Sequence, residues 1–400
     1  MTKNIIAIFG LGKSGKASYE YLKSKGYEIV AWDDTESSHE NIPCTAPQSW
    51  DWGRIEKLVL APGIPLTHPK PHYIVEAAHK ANVPIICDIE ILYLDNMDAK
   101  FIGITGTNGK STTTALIGHI LEQNGFDVAV GGNIGNAALS LGKHKYYVLE
   151  MSSYQLDLID KTRFNIAVWM NITPDHIDRH GDIQGYIKAK KNLFRNGNDI
   201  AFIGRDDEYS KKLDGVGFSK KDNLGDFPNL PGEHNMQNIN AAFKVAKYLG
   251  ISENKIIASI LSFPGLAHRI EFVSERGGVK FINDSKATNA DSAACALSCF
   301  EDIHWILGGV AKAGGIKALA EYFPKIRHAY LIGEAQEEFA GELEGKVTYS
   351  KFKNLEDAVK QAASNAEKGV VLLSPACASF DQFKNFEERG DVFKKIVLNL

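Results

Sequence analysis

The sequence predicts an α/β protein of three units, each a largely parallel sheet with crossover helices. Three observations carry that expectation. Short apolar runs alternate with helix-patterned stretches along most of the 400 residues. Two glycine loops each follow an apolar run and open onto a helical pattern. The alternation breaks around "KKDNLGDFPNLPGEHN" and resumes from about residue 266.

The first unit, residues 1–90, offers "IIAIF", "EIVAW", "KLVLA" and "VPIIC" as strands and "KASYEYLKSKG" as a helix. The central unit, residues 91–265, opens with the run "AKFIGIT". A helix follows, with Leu116, Ile117, Ile120 and Leu121 on one face and Gly125 as its stop. "YYVLE" and "IAVWMNIT" read as further strands. The third unit, residues 266–400, has "VKFIND", "HWILGG", "AYLIGE" and "GVVLLSP", each followed by helix-like sequence.

Composition is that of a globular protein, and a formal charge of −4 gives no reason to expect nucleic acid as a partner. No apolar run approaches the roughly 18 residues needed to span a membrane. The opening "MTKNIIAIFG" is too short an apolar stretch for a signal peptide. Five cysteines without a C-x-x-C pair argue against a disulfide framework, and Cys295 and Cys299 simply pack one helical turn apart. The expectation is a reduced, cytoplasmic protein.

The most informative stretch is "GITGTNGKSTTT", residues 103–114. Gly106, Thr107, Asn108 and Gly109 form a loop whose backbone N–H groups can close on phosphate oxygens. Lys110 can reach terminal phosphates, Ser111 can ligate Mg²⁺, and Thr112 continues into the helix. The strict pattern wants a glycine where Ile104 stands, so this is a shorter G-x-x-G-K-S loop. Nucleoside triphosphate binding is the expectation. Hydrolysis, kinase chemistry and ligation all use such loops.

"GLGKSG" (Gly10, Gly12, Lys13, Ser14, Gly15) follows the first strand, and Asp33 ends the second. This is a dinucleotide fingerprint that serves a nicotinamide or flavin, another nucleotide, or only a tight strand-to-helix turn. Glu150 ends a buried strand, where a Mg²⁺ ligand beside a phosphate loop belongs. Asp175, His176, Asp178, Arg179 and His180 crowd the end of "IAVWMNIT". The i,i+4 histidines raise a zinc site, but the glutamate of H-E-x-x-H is absent, and Mg²⁺ with phosphate fits better. Lys188, Lys190 and Lys191 on the next helix read from spacing as a solvated basic face. His234, Asn235 and Asn238 either cap their helix or reach a ligand. Arg269, Asp284, Lys286, Thr288, Lys312, Ser379, Phe380, Lys384 and Phe386 gather at strand ends of the third unit and suit an anionic substrate.

Six stretches, "GTNGKST", "EMSSYQLD", "NITPDHIDRH", "HNMQN", "INDSKATN" and "SPACASFDQFKNFEERG", occur in order over nearly the whole chain. Together they resemble the Mur ligase family of cell-wall enzymes, most closely the member that adds D-glutamate. The resemblance implies a Rossmann-like amino-terminal domain, a central P-loop ATPase domain and a Rossmann-like carboxy-terminal domain. It implies an ATP-dependent amide ligase of peptidoglycan synthesis joining D-glutamate to UDP-N-acetylmuramoyl-L-alanine through an acyl phosphate, acting as a cytoplasmic monomer.

Carried over, Gly12, Lys13, Ser14 and Gly15 cradle the uridine diphosphate, and Asp33 and Asp34 lie near uracil. Pro62, Gly63, Ile64, Asn133, Ser152 and Gln155 help hold the sugar nucleotide. Residues Gly106 to Thr112, with Asn238, Arg269, Asp284 and Lys286, surround ATP. Two Mg²⁺ are held by Ser111, Glu150, His176 and Lys190. The resemblance makes Lys190 a carbamate formed from CO₂, against its reading as a solvated face. It makes Lys110, His176 and Lys190 the catalytic set, and puts Thr288, Lys312, Ser379, Phe380 and Phe386 around phosphate or D-glutamate. Two positions depart from the family pattern: "GGVAK" lacks an acidic residue before Lys312, and Ala61 replaces a serine. Rival readings are a ligase for a different amino acid, including folylpolyglutamate synthesis, and an NAD-dependent oxidoreductase. The oxidoreductase leaves the second glycine loop unexplained.

Overall fold

The computed structural model describes residues 4–35, 41–312 and 314–400. They form three sheets distributed over two compact units, Met1–Leu224 with Asn235–Ile260 and Gly225–His234 with Leu261–Leu400.

The first unit contains two sheets. One is built from β1 (Ile5–Phe9), β2 (Glu28–Trp32), β3 (Ile55–Leu60) and β4 (Ile85–Ile86), with helices α1 (Lys13–Ser24), α2 (Tyr73–Lys80) and α3 (Asp88–Asp95). Its order is β2-β1-β3-β4, all parallel. Strand β1 is buried at every position, which is why it reads as an unbroken apolar run. The chain order reverses at β1, so the loops after β1, β2 and β3 open toward one crevice.

The other sheet has six parallel strands, β5 (Lys100–Thr105), β6 (Val128–Gly132), β7 (Tyr146–Glu150), β8 (Ile166–Trp169), β9 (Ile200–Gly204) and β10 (Val216–Phe218). Helices α4 (Lys110–Gln123), α5 (Ser153–Leu156), α6 (Ile177–His180), α7 (Ile183–Lys191), α8 (Glu233–Tyr248) and α9 (Glu253–Ser262) accompany it. The order β10-β9-β8-β5-β7-β6 puts the switch point at β5, between β7 and β8. The glycine loop, Glu150 and the histidine-rich segment therefore leave adjacent strands at the same edge. The strand read as "IAVWMNIT" ends at Trp169, which frees residues 170–173 to stitch the glycine loop.

A single apolar cluster runs through both sheets, including Ile8, Cys87, Phe101 and Leu158. Residue 90, read from sequence as a boundary, lies inside α3. There the buried Glu90 carboxylate accepts the backbone N–H groups of Asp160, Lys161 and Thr162.

The second unit holds β11 (Glu271–Arg276), β12 (Val279–Asn283), β13 (Ile303–Gly308), β14 (Ile326–Ile332), β15 (Tyr349–Lys351) and β16 (Gly369–Leu373), with α10 (Ala290–Ser298), α11 (Gln336–Leu343), α12 (Leu355–Asn365) and α13 (Phe386–Leu398). Its order is β11-β12-β16-β13-β14-β15. The edge strand β11 pairs antiparallel with β12, an exception to the otherwise parallel sheet. The signal was present in "ERGGVK", because Gly277 and Gly278 both take positive φ, as a two-residue hairpin turn requires.

Candidate active site

Strand β5 ends at Thr105 and α4 begins at Lys110, so the expected strand–loop–helix is formed. Gly109 takes a left-handed φ of 82°, and a Cβ there would sit 2.2 Å from Asn238 Oδ1, so only glycine fits. The loop is pinned from the next strand. Thr107 N donates to Asn171 O at 2.8 Å and Asn108 N to Asn171 Oδ1 at 2.9 Å. Lys110 folds back over the loop, its Nζ donating to Gly106 O at 3.0 Å and Thr107 O at 2.8 Å. Ser111 stands half-buried at the helix N-terminus, where unpaired N–H groups and the helix dipole favour an anion. The Thr112 side chain is buried, and Asn238 spends its amide on Thr113 Oγ1 and Asn235 Oδ1, because α8 packs its first turns directly under the loop.

Glu150 is buried at the end of β7, with Oε1 accepting from Asn133 Nδ2 at 2.8 Å. Its Oε2 is buried without a hydrogen-bond partner among the described residues. A carboxylate oxygen left so is costly to bury, and a hard cation satisfies it. The donor set therefore fits Mg²⁺. Asn133, expected at the sugar nucleotide, orients this carboxylate. Ser152 and Gln155, expected there too, form the capping box of α5, with Gln155 N donating to Ser152 Oγ at 3.2 Å. Their side chains hold a helix start.

His176 begins α6 with φ 52° and stays half-exposed. Burial pulls its pKa down from the usual histidine value, with Asp175 opposing and Lys190 and Lys110 reinforcing the fall. His180 drops further, to about 4, through burial and then the charges of His176 and Lys190. It is a neutral ring bonded to Ser153 Oγ at 2.9 Å.

Lys190 corrects the solvated-face reading. It is buried on the inner side of α7, while Lys188 and Lys191 are exposed. Its Nζ donates to Gly106 O at 2.7 Å and lies 4.6 Å from the Tyr186 ring centre. Burial first, and then repulsion by Lys110, hold its pKa well below that of an ordinary lysine, against the pull of Asp175 and Glu150. A neutral amine is the form whose nitrogen attacks CO₂, so the environment fits a carbamate. Tyr186, whose hydroxyl lies 3.2 Å from Thr107 Oγ1, was missed in the sequence. Its signal was the i,i+4 spacing to Lys190.

At the first sheet, Gly12 caps α1 and Lys13, Ser14 and Gly15 form its first turn. Asp33 ties that turn to β2, its Oδ2 accepting Leu11 N at 2.6 Å. Asp34 accepts from Trp32 Nε1 and Tyr73 OH at 2.7 and 2.8 Å. Lys13 Nζ donates to Gly135 O, and Pro62 and Gly63 turn after β3.

In the second unit, Val310 and Ala378 pair backbone to backbone, setting the turn with Lys312 beside the segment with Ser379 and Phe380. Phe380 is 73% exposed and Ser379 is buried. Lys286 lies over the Phe386 ring at 4.3 Å, and Thr288 follows two residues on. Asp284, expected to face nucleotide, is buried with its oxygens on Ser374 Oγ and Ile270 N, because the β12 end turns inward against β16. Burial raises its pKa to about 7. Arg269 is half-buried, its Nε without a partner among the described residues. Arg389, not singled out from sequence, is fully buried and bonds Ser285 O and Cys377 O, tying α13 to these strand ends.

Two family descriptions match the chain: the Mur ligase middle domain over residues 104–221 and the Mur ligase glutamate ligase domain over 268–377. Solved structures similar in fold include the UDP-N-acetylmuramate–alanine ligase of Thermotoga maritima, with a TM-score of 0.65 at 16% identity over 98% of this chain and 99% of that one. The chain belongs to the Mur ligase family, whose members are ATP-dependent ligases. A Rhizobium johnstonii relative is 45% identical over 97% of this chain and 93% of its own length. One from Nitrobacter hamburgensis is 44% identical over 98% and 96%. Both are UDP-N-acetylmuramoylalanine–D-glutamate ligases, and this chain stands with them on that branch of the family. Among the described residues no helix is long and apolar enough to cross a membrane.

Proposed function

We propose that the chain joins the amine of D-glutamate to the alanyl carboxylate of UDP-N-acetylmuramoyl-L-alanine, converting ATP to ADP and phosphate. The observation that carries this reading is one edge of one sheet. There a phosphate-gripping loop, an orphaned buried carboxylate oxygen on Glu150 and a buried lysine leave adjacent elements. Residues 1–90 would hold the sugar nucleotide, 91–265 ATP, and 266–400 D-glutamate together with part of ATP, in a cytoplasmic monomer.

A carboxylate resists amine attack because its oxygen is a poor leaving group. Transfer of the terminal phosphoryl of ATP to that oxygen gives an acyl phosphate and ADP. The amine then adds to the acyl carbon, loses a proton, and phosphate departs with the C–O bonding pair. Lys110 and the N–H groups at the start of α4 stabilise charge on the transferring phosphoryl. Mg²⁺, held by Ser111 and Glu150 and by His176 with carbamylated Lys190, would supply charge neutralisation on the phosphates. Lys312, Ser379, Phe380 and Thr288 would receive D-glutamate.

The test is ADP release with UDP-N-acetylmuramoyl-L-alanine against a panel of D- and L-amino acids. D-glutamate alone should support turnover, and a preference for another amino acid would reassign the substrate. Chromatography of the spent nucleotide should give ADP and phosphate. AMP and pyrophosphate accumulating in step with amide would sink the acyl-phosphate route.

Asp33→Ala should weaken binding of the sugar nucleotide about tenfold, roughly the 1.4 kcal/mol of one net hydrogen bond, with ATP affinity unchanged. The physical cause is the lost Leu11 N bond, which leaves the first glycine loop untied. Equal losses for both nucleotides by calorimetry would contradict this assignment.

A further inference from the structure

The Arg179 side chain touches two segments that are far from it in sequence, and its backbone is tied to the start of its own helix. Its Nη1 donates to Gly63 O at 3.0 Å, in the turn after β3. Its guanidinium lies over the Tyr154 ring at 4.6 Å, in α5. Its own backbone N–H bonds His176 O at 3.0 Å, at the start of α6. The Tyr154 ring in turn meets both histidines, tilted against His176 at 5.1 Å and stacked on His180 at 5.4 Å.

Helix α6 is one turn long and begins at a non-glycine residue with positive φ, so local structure holds His176 weakly. Something outside the helix must orient it. The two loops also approach at a second point, since a Cβ on Gly181 would meet His68 Nε2 at 2.8 Å. The turn after β3 and the α6 turn therefore lie against one another, and the Arg179 side chain bridges them.

We propose that Arg179 is a positioning residue coupling the turn that receives the sugar nucleotide to the histidine that serves the phosphate site. This rests on the ligase reading above. A planar fork suits the task, because one edge bonds a carbonyl while the face stacks on an aromatic ring. Displacement of the sugar-nucleotide turn would then be felt at His176. A positioning error of about 1 Å costs on the order of 10²-fold in rate.

The experiment measures steady-state kinetics for wild type, Arg179→Met, Arg179→Lys, Tyr154→Ala and the Arg179→Met/Tyr154→Ala double variant. Melting curves of each variant show which are folded. Arg179→Met should lower kcat and raise KM for UDP-N-acetylmuramoyl-L-alanine together, each by about tenfold or more, leaving KM for ATP unchanged. Arg179→Lys should fall between, keeping a cation over Tyr154 but losing the fork. The double variant should be no worse than the poorer single one, because both act through one contact. A folded Arg179→Met with only KM raised would make Arg179 a simple binding residue and overturn the coupling. So would a lowered melting temperature with both kinetic parameters intact, or fully additive losses in the double variant. Should only the double variant fail to fold, the single variants decide by the same kcat–KM criterion. A wild type that releases no ADP with the sugar nucleotide overturns the ligase reading, and the coupling with it.

Discussion

With Lys110 replaced by alanine, ADP release falls by at least about 10²-fold while the protein stays folded. Its Nζ bonds two carbonyls of its own loop, Gly106 O and Thr107 O, at the start of α4. Those bonds are local, and the loop is separately held by Asn171, so folding survives the loss. On the proposed mechanism, the transferring phosphoryl loses a stabilising cation. Circular dichroism and a coupled ADP assay check the two halves. A folded variant keeping more than about a tenth of wild-type turnover contradicts the role, since one charge-stabilising donor is ordinarily worth more than that.

Lys190→Ala loses activity on a similar scale, about 10²–10³-fold, and acetate partly restores it. An ammonium beside His176 would repel Mg²⁺, whereas a carbamate offers anionic oxygens of the kind Mg²⁺ prefers. The modification adds CO₂ to a neutral amine and releases a proton. The buried Nζ beside Lys110 is kept toward that neutral form, and the direction is right: a lowered lysine pKa raises the amine fraction at neutral pH. Acetate can occupy the vacated oxygen positions. Lys190→Met keeps the stem volume and should be as inactive as alanine, which separates carbamate loss from a packing defect. Lys188→Ala and Lys191→Ala, both exposed, should behave as wild type. Equal losses in all three alanine variants, or in none, would end the carbamate assignment.

Much of this site was legible because its signals are local. The loop from Gly106 to Gly109 runs straight into Lys110 and Ser111, its helix carries a regular apolar stripe, and Glu150 closes a run that only a buried strand explains. Lys190 was legible in part. Ile183, Tyr186, Ile187 and Lys190 share one face of α7 at three- and four-residue spacing, so the pattern itself put a lysine on the inner stripe. Treating the three lysines as one basic face hid that conflict. The hairpin at Gly277 and Gly278 is equally local, two adjacent glycines between β11 and β12.

The α/β class, the strand–glycine loop–helix and the strand end at Glu150 were legible in the sequence, because each depends on residues that are neighbours along the chain. The sequence could not say that the side chains of Asn238, Ser152 and Gln155 hydrogen-bond to neighbouring protein groups. Nor could it say that Asp284 turns inward, or that Arg179 bridges Gly63 and Tyr154 across separations of 116 and 25 residues. Those facts follow from which strand ends the sheet order brings to one edge. A side chain's hydrogen-bonding capacity is finite, and which partner takes it is decided by distance in the folded chain.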